Sequence, residues 1–305
     1  MVKKLRKFLR RWISWPIEAL FFYLLLGVMW LLPAQASSSV IGKLMRLVGP
    51  LLPHHRRSLF NIGFAMPELS PTARKKIAQD MWENLGRVMG EFIHSQQIMR
   101  SNRIRIDGVE HMELLREKGG FMISAHLGNW ELAAWPGVKA GLPMNCVYRP
   151  INNPLITHVI KRRLHMMNNL YEKGVEGARG LATTVKRKEV FAMVVDQKLR
   201  EGEMLDFFGH KASTAVAHLK FSQKKNLPIL MVQVIRTQGC NFKIVVKPLD
   251  LSSIAPDDPE YLAKAGTMIN AIIEGWIREN PEQWMWPHRR WPESKGEVYI
   301  PDHPA

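Results

Sequence analysis

The chain has 305 residues, enough to bury a sizeable core, and its 46% hydrophobic and 23% charged content is typical of a globular protein rather than a disordered one. Its formal net charge of +16 predicts attraction to polyanions such as nucleic acid, an anionic membrane face, a phosphorylated lipid or an acidic protein. Ten tryptophans beside so many cations favour a membrane interface, and without a helix-turn-helix, zinc-finger or RNA-binding strand motif we expect no nucleic-acid partner.

The N-terminus joins a basic start to an apolar run. Residues 1–12 carry six cations and no acid, and ALFFYLLLGVMWLL follows at Ala19–Leu32. With Ala34 and Ala36 ahead of serines, this pattern also fits a signal peptide. The apolar run is shorter than the roughly 20 residues that span a bilayer. A retained membrane helix, a shallow interfacial helix and a signal peptide all remain open on this pattern.

The next segment is predicted to be helical. Residues 37–66 fit short amphipathic helices broken by Pro50 and Pro53. Ser70 and Pro71 are typical of an N-cap and a first helical residue, so a helix is expected from there to about Gln97. Residues at helical spacing predict its buried face: Met81, Leu85, Val88, Met89, Phe92 and Ile93.

From residue 103 onward, strands alternate with helices. FMIS, CVY and VFAMVVD are predicted strands, PILMVQVI and FKIVVKPL a hairpin around Gly239, and helices are expected at about 129–139, 154–168, 177–187, 214–225 and 258–280. The pattern predicts an α/β fold with a mixed, mostly parallel sheet flanked by helices. We expect residues 1–36 to form a basic, membrane-associated N-terminus and 37–305 one domain, with a helical lead-in (37–100) and an α/β core (101–305).

The stretch SAHLGNWE, residues 124–131, begins where the predicted strand FMIS ends, and ligands gather at the carboxyl ends of strands in such sheets. His126 and Glu131 are five residues apart, whereas a helical pair of metal ligands needs three or four. No second histidine or cysteine lies at ligand spacing, so no metal is expected.

The same two residues fit a general base with a supporting carboxylate. If His126 lies in a turn and Asn129 caps a helix, Glu131 falls in the first helical turn and can fold back toward the imidazole. Gly128 would permit the close backbone approach of such a turn. A carboxylate on one ring nitrogen raises the basicity of the other. Spacing alone leaves a purely structural turn equally open.

The sequence offers no competing protein nucleophile. There is no Gly-x-Ser-x-Gly motif, Cys146 lies in a predicted strand, and Cys240 lies in a predicted turn. A base at His126 is therefore expected to act on a hydroxyl of the substrate itself.

Five segments in order resemble the late acyltransferases of lipid A biosynthesis, within the lysophospholipid acyltransferase superfamily. They are SAHLGNWE, YRPINNP (148–154), VVDQK (194–198), FFG (207–209) and PEQWMWPHRRWP (281–292). The resemblance covers nearly the whole chain, including MWENLGRVMGEF (81–92), and is strongest to the lauroyl and myristoyl transferases that acylate Kdo-bearing precursors.

The resemblance implies an O-acyltransferase that needs no cofactor beyond its acyl donor. His126, paired with Glu131, would deprotonate a 3-hydroxyl on a hydroxyacyl chain of a Kdo-bearing lipid A precursor, and the alkoxide would attack the thioester of an acyl carrier protein. Arg149 and either Arg163 or Arg162 would bind phosphates. Asn129, Asp196 and Gln197 are further candidates for substrate contact, and residues 207–209 for lining the site.

The resemblance also gives the basic charge a partner. Acyl carrier protein and lipid A phosphates are acidic, so residues 186–188 and 288–290 are candidate docking patches. Trp284, Trp286 and Trp291 suit either a headgroup layer or a packed core.

A cytosolic donor favours a retained helix over a signal peptide. We therefore expect the body on the cytoplasmic face of the inner membrane of a Gram-negative bacterium, in contact with phospholipid. The alternatives are acyl transfer to another glycolipid or a lysophospholipid, and a non-enzymatic basic protein of the membrane surface.

Overall fold

The computed structural model describes residues 8–163 and 166–295, without the side chains of His158, residues 160–163 and Lys295. Its N-terminal part is a single helical stretch, in which a π-helical turn at Arg10–Ser14 leads into α1 (Trp15–Leu31). The helix formed by the 22 residues Arg10–Leu31 is long and apolar enough to cross a membrane. A signal sequence meets the same criteria of length and composition. The helix is longer than the 14-residue apolar run because Pro16 lies at its amino end, where a proline is tolerated.

The helical lead-in consists of α2 (Ala34–Val48), α3 (His54–Ala65), α4 (Pro71–Glu91) and α5 (Ser95–Arg100). Ser70 caps α4 by accepting a hydrogen bond from Ala73 N–H, as predicted. Helices α2 and α4 pack so closely that a Cβ at Gly90 would lie 2.6 Å from the Ser37 carbonyl oxygen. Met89, predicted on the buried face of α4, is 44% exposed because the contact with α2 rotates that face toward Gly86 and Gly90.

Nine strands and five further helices lie in the described part of the core, which ends at residue 295. The strands are β1 (Ile104–Asp107), β2 (Gly120–Ser124), β3 (Met144–Tyr148), β4 (Asn169–Glu172), β5 (Val190–Val194), β6 (Glu203–Phe207), β7 (His210–Thr214), β8 (Ile229–Gln238) and β9 (Asn241–Pro248). The helices are α6 (Trp135–Lys139), α7 (Pro154–Arg163), α8 (Val175–Lys186), α9 (Ala217–Lys225) and α10 (Tyr261–Glu279).

Seven of these strands form one mixed sheet, in the order β1-β9-β8-β2-β5-β3-β4. Every neighbouring pair is parallel except the β8–β9 hairpin. Alternate residues of β2 face opposite sides, since Phe121 and Ile123 join one buried cluster and Met122 the other. Helices cover both faces, which confirms the predicted fold class.

Four elements differ from the predictions. The helix expected at about 129–139 is a 3₁₀ turn at Trp130–Leu132 followed by the short α6. Strand β1, strand β4 and the β6–β7 hairpin were not predicted. Strand β4 is half-buried along its whole length, and β6 and β7 form a separate two-stranded sheet.

Candidate active site

The centre of the site is made by two neighbouring parallel strands. In the register of β2 and β5, Ser124 lies opposite Val194, and Val195 N–H donates to the Ser124 carbonyl. His126 and Asp196 each lie two residues beyond these partners, at the carboxyl edge of the sheet. The strand register therefore brings together residues that are 70 positions apart in the chain.

Asp196 holds His126 at two points. Its Oδ2 accepts the backbone N–H of His126 at 2.9 Å, and its Oδ1 lies 2.8 Å from the ring nitrogen Nδ1. Because a carboxylate accepts, Nδ1 carries the ring proton and Nε2 keeps its lone pair. The Gln197 side-chain amide lies 3.2 Å from that Nε2 and can donate to it. The basic nitrogen of His126 is thus turned away from Asp196.

The Asp196 carboxylate is stabilised in its ionised form. Burial alone would raise its pKa, but the positive charge that the His126 ring takes on when protonated, hydrogen bonds from the His126 ring and backbone, and the indole N–H of Trp284 at 2.7 Å lower the pKa to about 2. Since Asp196 is 2% exposed, its carboxylate is hydrogen-bonded to His126 and is closed to solvent.

A tight turn after β2 presents His126 at the sheet edge. Gly128 has a φ of +59°, and a Cβ there would lie 2.4 Å from the Val234 carbonyl oxygen, so the turn requires glycine. Asn129 then caps the 3₁₀ turn by accepting the Glu131 N–H at 3.3 Å. The predicted turn and cap are both present.

Helix α4 supports this turn through a buried polar network. Asn129 Nδ2 donates to Glu91 Oε2 at 2.8 Å, and Asn84 Nδ2 donates to the Gly128 carbonyl at 3.1 Å. Glu91 is fully buried and pairs with both terminal guanidinium nitrogens of Arg236, which also donates from Nε to Asn84. Residues 81–92, noted above for a buried helix face and for the family resemblance, therefore also anchor the site turn.

The C-terminal segment, residues 281–292, packs over the carboxyl edge of the sheet beside His126. Met285 N–H donates to the His126 carbonyl at 3.2 Å, and Gly128 N–H to the Gln283 carbonyl at 3.0 Å. Burial lowers the pKa of His288 to about 4, so its neutral ring accepts the Lys198 N–H at 2.9 Å. The segment thus fixes the loops after β2 and β5 together.

The structure corrects one predicted contact. The carboxylate on the His126 ring is that of Asp196, not Glu131, because Asp196 follows the adjacent strand while Glu131 lies in the 3₁₀ turn. Asn129 is 3% exposed and bonded within the protein, and the Gln197 amide lies beside His126 Nε2. The expected contacts of Asn129, Asp196 and Gln197 with substrate stay predictions.

The predicted phosphate-binding arginines are only partly described. Arg149 is exposed directly after β3, whose carboxyl end lies at the same edge as that of β5. Arg162 and Arg163 occupy the last turn of α7, and their side chains lie outside the described part of the chain.

The two candidate docking patches differ in their exposure to solvent. Residues 186–188 are exposed but precede β5, which places them at the edge of the sheet opposite His126. In the other patch Arg290 is fully buried and donates to Ser213 and Thr214, whereas Arg289 is exposed, so Arg290 does not contribute to a solvated basic surface.

The aromatic residues near the C-terminus belong to the core. Trp284, Trp286 and Trp291 are at most 2% exposed, and Phe207 stacks on Trp291 at 5.6 Å. Burial rather than a headgroup layer explains these tryptophans, and Phe207 and Phe208 pack in the same cluster. Among the described residues, no group of three or more His, Cys, Asp and Glu side chains is arranged to hold a metal ion.

The arrangement is suited to activating a hydroxyl. An oriented histidine with a buried carboxylate on Nδ1 and its basic Nε2 beside a replaceable amide can remove a proton from an incoming O–H group. Its position at the carboxyl edge of a mostly parallel sheet is typical of an α/β enzyme.

Comparisons with known proteins identify the family. Residues 2–293 match the family described as bacterial lipid A biosynthesis acyltransferase, and the chain belongs to it. It is 26% identical over 317 residues to the lipid A biosynthesis palmitoleoyltransferase of Escherichia coli K12, covering 97% of each chain. The lauroyltransferase of the same strain is 25% identical over 304 residues, 92% of each chain.

A Haemophilus influenzae lipid A biosynthesis acyltransferase is 24% identical over 278 residues, covering 88% of this chain and 84% of the relative. Among solved structures, the 1-acyl-sn-glycerophosphate acyltransferase PlsC from Thermotoga maritima aligns with a TM-score of 0.38 and 11% identity, over 80% of this chain and 96% of that one. Family membership makes the chain an acyltransferase of lipid A biosynthesis.

Proposed function

We propose that this acyltransferase moves a fatty acyl chain from an acyl carrier protein to a 3-hydroxyl of a hydroxyacyl chain on a Kdo-bearing lipid A precursor. The observation that carries the proposal is the His126–Asp196 pair, with Nδ1 held at 2.8 Å and Nε2 left basic. The family is one of acyltransferases, and acyl transfer to a hydroxyl needs a base that removes the hydroxyl proton, which this pair can supply.

In the proposed step His126 Nε2 first accepts one proton and then returns it. The acceptor hydroxyl replaces Gln197 as the donor to His126 Nε2, and its oxygen attacks the thioester carbonyl as the proton passes to the ring. The tetrahedral intermediate then breaks its carbon–sulfur bond, and the leaving thiolate of the carrier takes the proton back from the imidazolium. Asp196 stabilises the charged ring between the two transfers.

Glu131 keeps a proposed role as the second acid of the motif. It lies in the first turn after His126, with its backbone N–H bonded to Asn129. We propose that its charge acts on the reacting groups or on bound substrate and that Asp196, not Glu131, sets the imidazole tautomer. Arg149 and the α7 arginines remain proposed phosphate ligands.

We propose that the body lies on the cytoplasmic face of the inner membrane, where an acyl carrier protein is present. Large apolar side chains on α1 are exposed to an extent unusual for a protein in water, with Phe21 at 68% and Trp30 at 73%. Asn153, directly before α7, donates to the Trp15 carbonyl at 2.8 Å and joins this helix to the core. A mature protein beginning at Ser37 would contradict the proposal.

The decisive experiment measures acyl transfer from acyl carrier protein to purified Kdo-bearing precursor. We expect His126→Ala to lower kcat by about 10²–10⁴, with Asp196→Asn and Glu131→Gln also impaired. His54→Ala, an exposed histidine on α3, is the control and should match the wild type. Near-full activity of His126→Ala would refute the mechanism.

The acceptor is tested separately in cells. Mass spectrometry of lipid A from a strain lacking the gene should show one acyl chain fewer. An unchanged acyl count, together with acylation of a lysophospholipid or another glycolipid by the purified protein, would favour the alternative acceptor.

A further inference from the structure

The orientation of Asp196 depends on groups outside the His126 motif. The side-chain torsion of an aspartate carboxylate is broad, so its oxygens are placed by hydrogen-bond donors rather than by the torsion itself. Oδ1 faces the His126 ring, while Oδ2 accepts from His126 N–H at 2.9 Å and from the Trp284 indole at 2.7 Å. The indole is the one of these three donors that is not part of His126.

Trp284 is itself rigidly held. Its ring is 2% exposed, lies 4.6 Å from the Trp286 ring at 84°, and contacts Phe207 at 5.9 Å. Its backbone forms a bridge with Leu127, next to His126 in the chain. An indole fixed in this way can donate in one direction only, and that direction is toward Oδ2.

We propose that Trp284 is a positioning residue for acyl transfer, whose indole N–H fixes the Asp196 carboxylate so that it holds the His126 ring in reacting orientation. The inference rests on the proposed function, because it assumes His126 as the base. The proposal assigns a role in catalysis to residues 281–292, whose tryptophans would otherwise be explained by core packing alone.

The chain supplies a matched control. Trp286 is fully buried in the same cluster, and its indole donates to the Pro281 carbonyl at 2.6 Å rather than to Asp196. Trp284→Phe and Trp286→Phe therefore remove the same atoms and one indole hydrogen bond each. Only the first removes a bond to the site.

The test compares both variants with the wild type in the acyl transfer assay and by thermal unfolding. For Trp284→Phe we expect kcat to fall about tenfold, as for loss of one hydrogen bond to a charged group, with KM within about twofold. Trp286→Phe should keep kcat within about twofold of the wild type, because a phenyl ring at this position still packs against the Trp284 ring. A folded Trp284→Phe with kcat within about twofold of wild type, or an equal fall in both variants, would overturn the inference.

A second measurement needs no substrate. The hydrogen-bonded Nδ1 proton of His126 should give a downfield proton resonance, identified by its loss in His126→Ala, that shifts in Trp284→Phe and not in Trp286→Phe. If the wild type transfers no acyl chain, the proposed function fails while this resonance still tests the Trp284–Asp196–His126 link; an unmoved resonance refutes it.

If Trp284→Phe does not fold, the benzothiophene analogue of tryptophan at position 284 keeps the bicyclic shape without the N–H. The same fall in kcat and the same shift are expected, and wild-type values would refute the role of the N–H.

Discussion

Replacing Glu91 with glutamine tests how strongly the buried network supports the site turn. Glu91 is fully buried and receives hydrogen bonds from Arg236, Ser38 and Asn129. The Arg236 side chain is only 8% exposed, so Glu91→Gln leaves its charge buried and without a carboxylate partner. Breaking one side of a buried ion pair typically costs about 3–5 kcal/mol.

That cost should be visible in thermal unfolding of the purified protein in detergent. For a chain of this size, about 3–5 kcal/mol corresponds to a fall in Tm on the order of 10 °C. Glu83→Gln is the control on the same helix, because Glu83 pairs with Arg46 and Arg87 at 23% exposure, where an ion pair contributes about 0.2–1 kcal/mol. Acyl transfer should also fall for Glu91→Gln, since Asn129 loses its ionised acceptor.

A double variant separates the buried charge from the lost hydrogen bonds. In Glu91→Gln with Arg236→Met no unpaired charge remains, and replacing both members of a buried pair is often near neutral. We expect the double variant to recover at least half of the lost stability. A Glu91→Gln protein within about 1 kcal/mol of the wild type, or a double variant with fully additive losses, would refute the reasoning.

Two further predictions concern the turn and a buried histidine. Gly128→Ala should abolish most acyl transfer and lower Tm, because its Cβ would lie 2.4 Å from the Val234 carbonyl oxygen; Gly141→Ala, at φ +72° with open space around it, is the control for backbone strain. Within the described part of the chain His218 has no hydrogen-bond partner on either ring nitrogen, and burial lowers its pKa to about 4. As pH falls from 8 to 5, the unfolded chain protonates this ring while the folded protein does not. The free energy of unfolding of the wild type should therefore fall by about 2 kcal/mol more than that of His218→Leu. If the wild type and His218→Leu differ in unfolding free energy by the same amount at pH 8 and at pH 5, this prediction is wrong.

The fold was accessible from the sequence because its signals are local. The alternation of strands and helices, the Ser70 cap and the turn at Gly239 each depend on a few neighbouring residues, and each is present. Strand β4 escaped because it is half-buried along its whole length. In β6 burial does alternate, but an apolar residue, Met204, occupies an exposed position, so the sequence itself lacks the period-two contrast.

The partner of His126 depends instead on strand order. Spacing within SAHLGNWE made Glu131 the nearest acid in the chain, but β2 and β5 are neighbours and aligned so that Ser124 faces Val194. Once that pairing is known, Asp196 follows by counting two residues along each strand. The sequence alone contains both strands and not their adjacency, so it could place Asp196 at the correct edge but not beside His126.

The same reasoning explains why the resemblance joins segments so far apart in the chain. Residues 81–92 hold the Gly128 turn through Asn84 and Glu91, and residues 281–292 meet His126, Asp196 and Lys198 through backbone and side-chain hydrogen bonds. In the proposed step neither segment carries the proton. Because a base acts only from one orientation, the residues that fix its ring and backbone are constrained as tightly as the base itself. A motif shared across a family of enzymes can therefore mark the support of a site as well as its chemistry, and burial is what separates the two here: Glu91, Asp196 and Trp284 are buried, whereas His126 and Gln197, the groups proposed to meet the acceptor hydroxyl, are partly exposed.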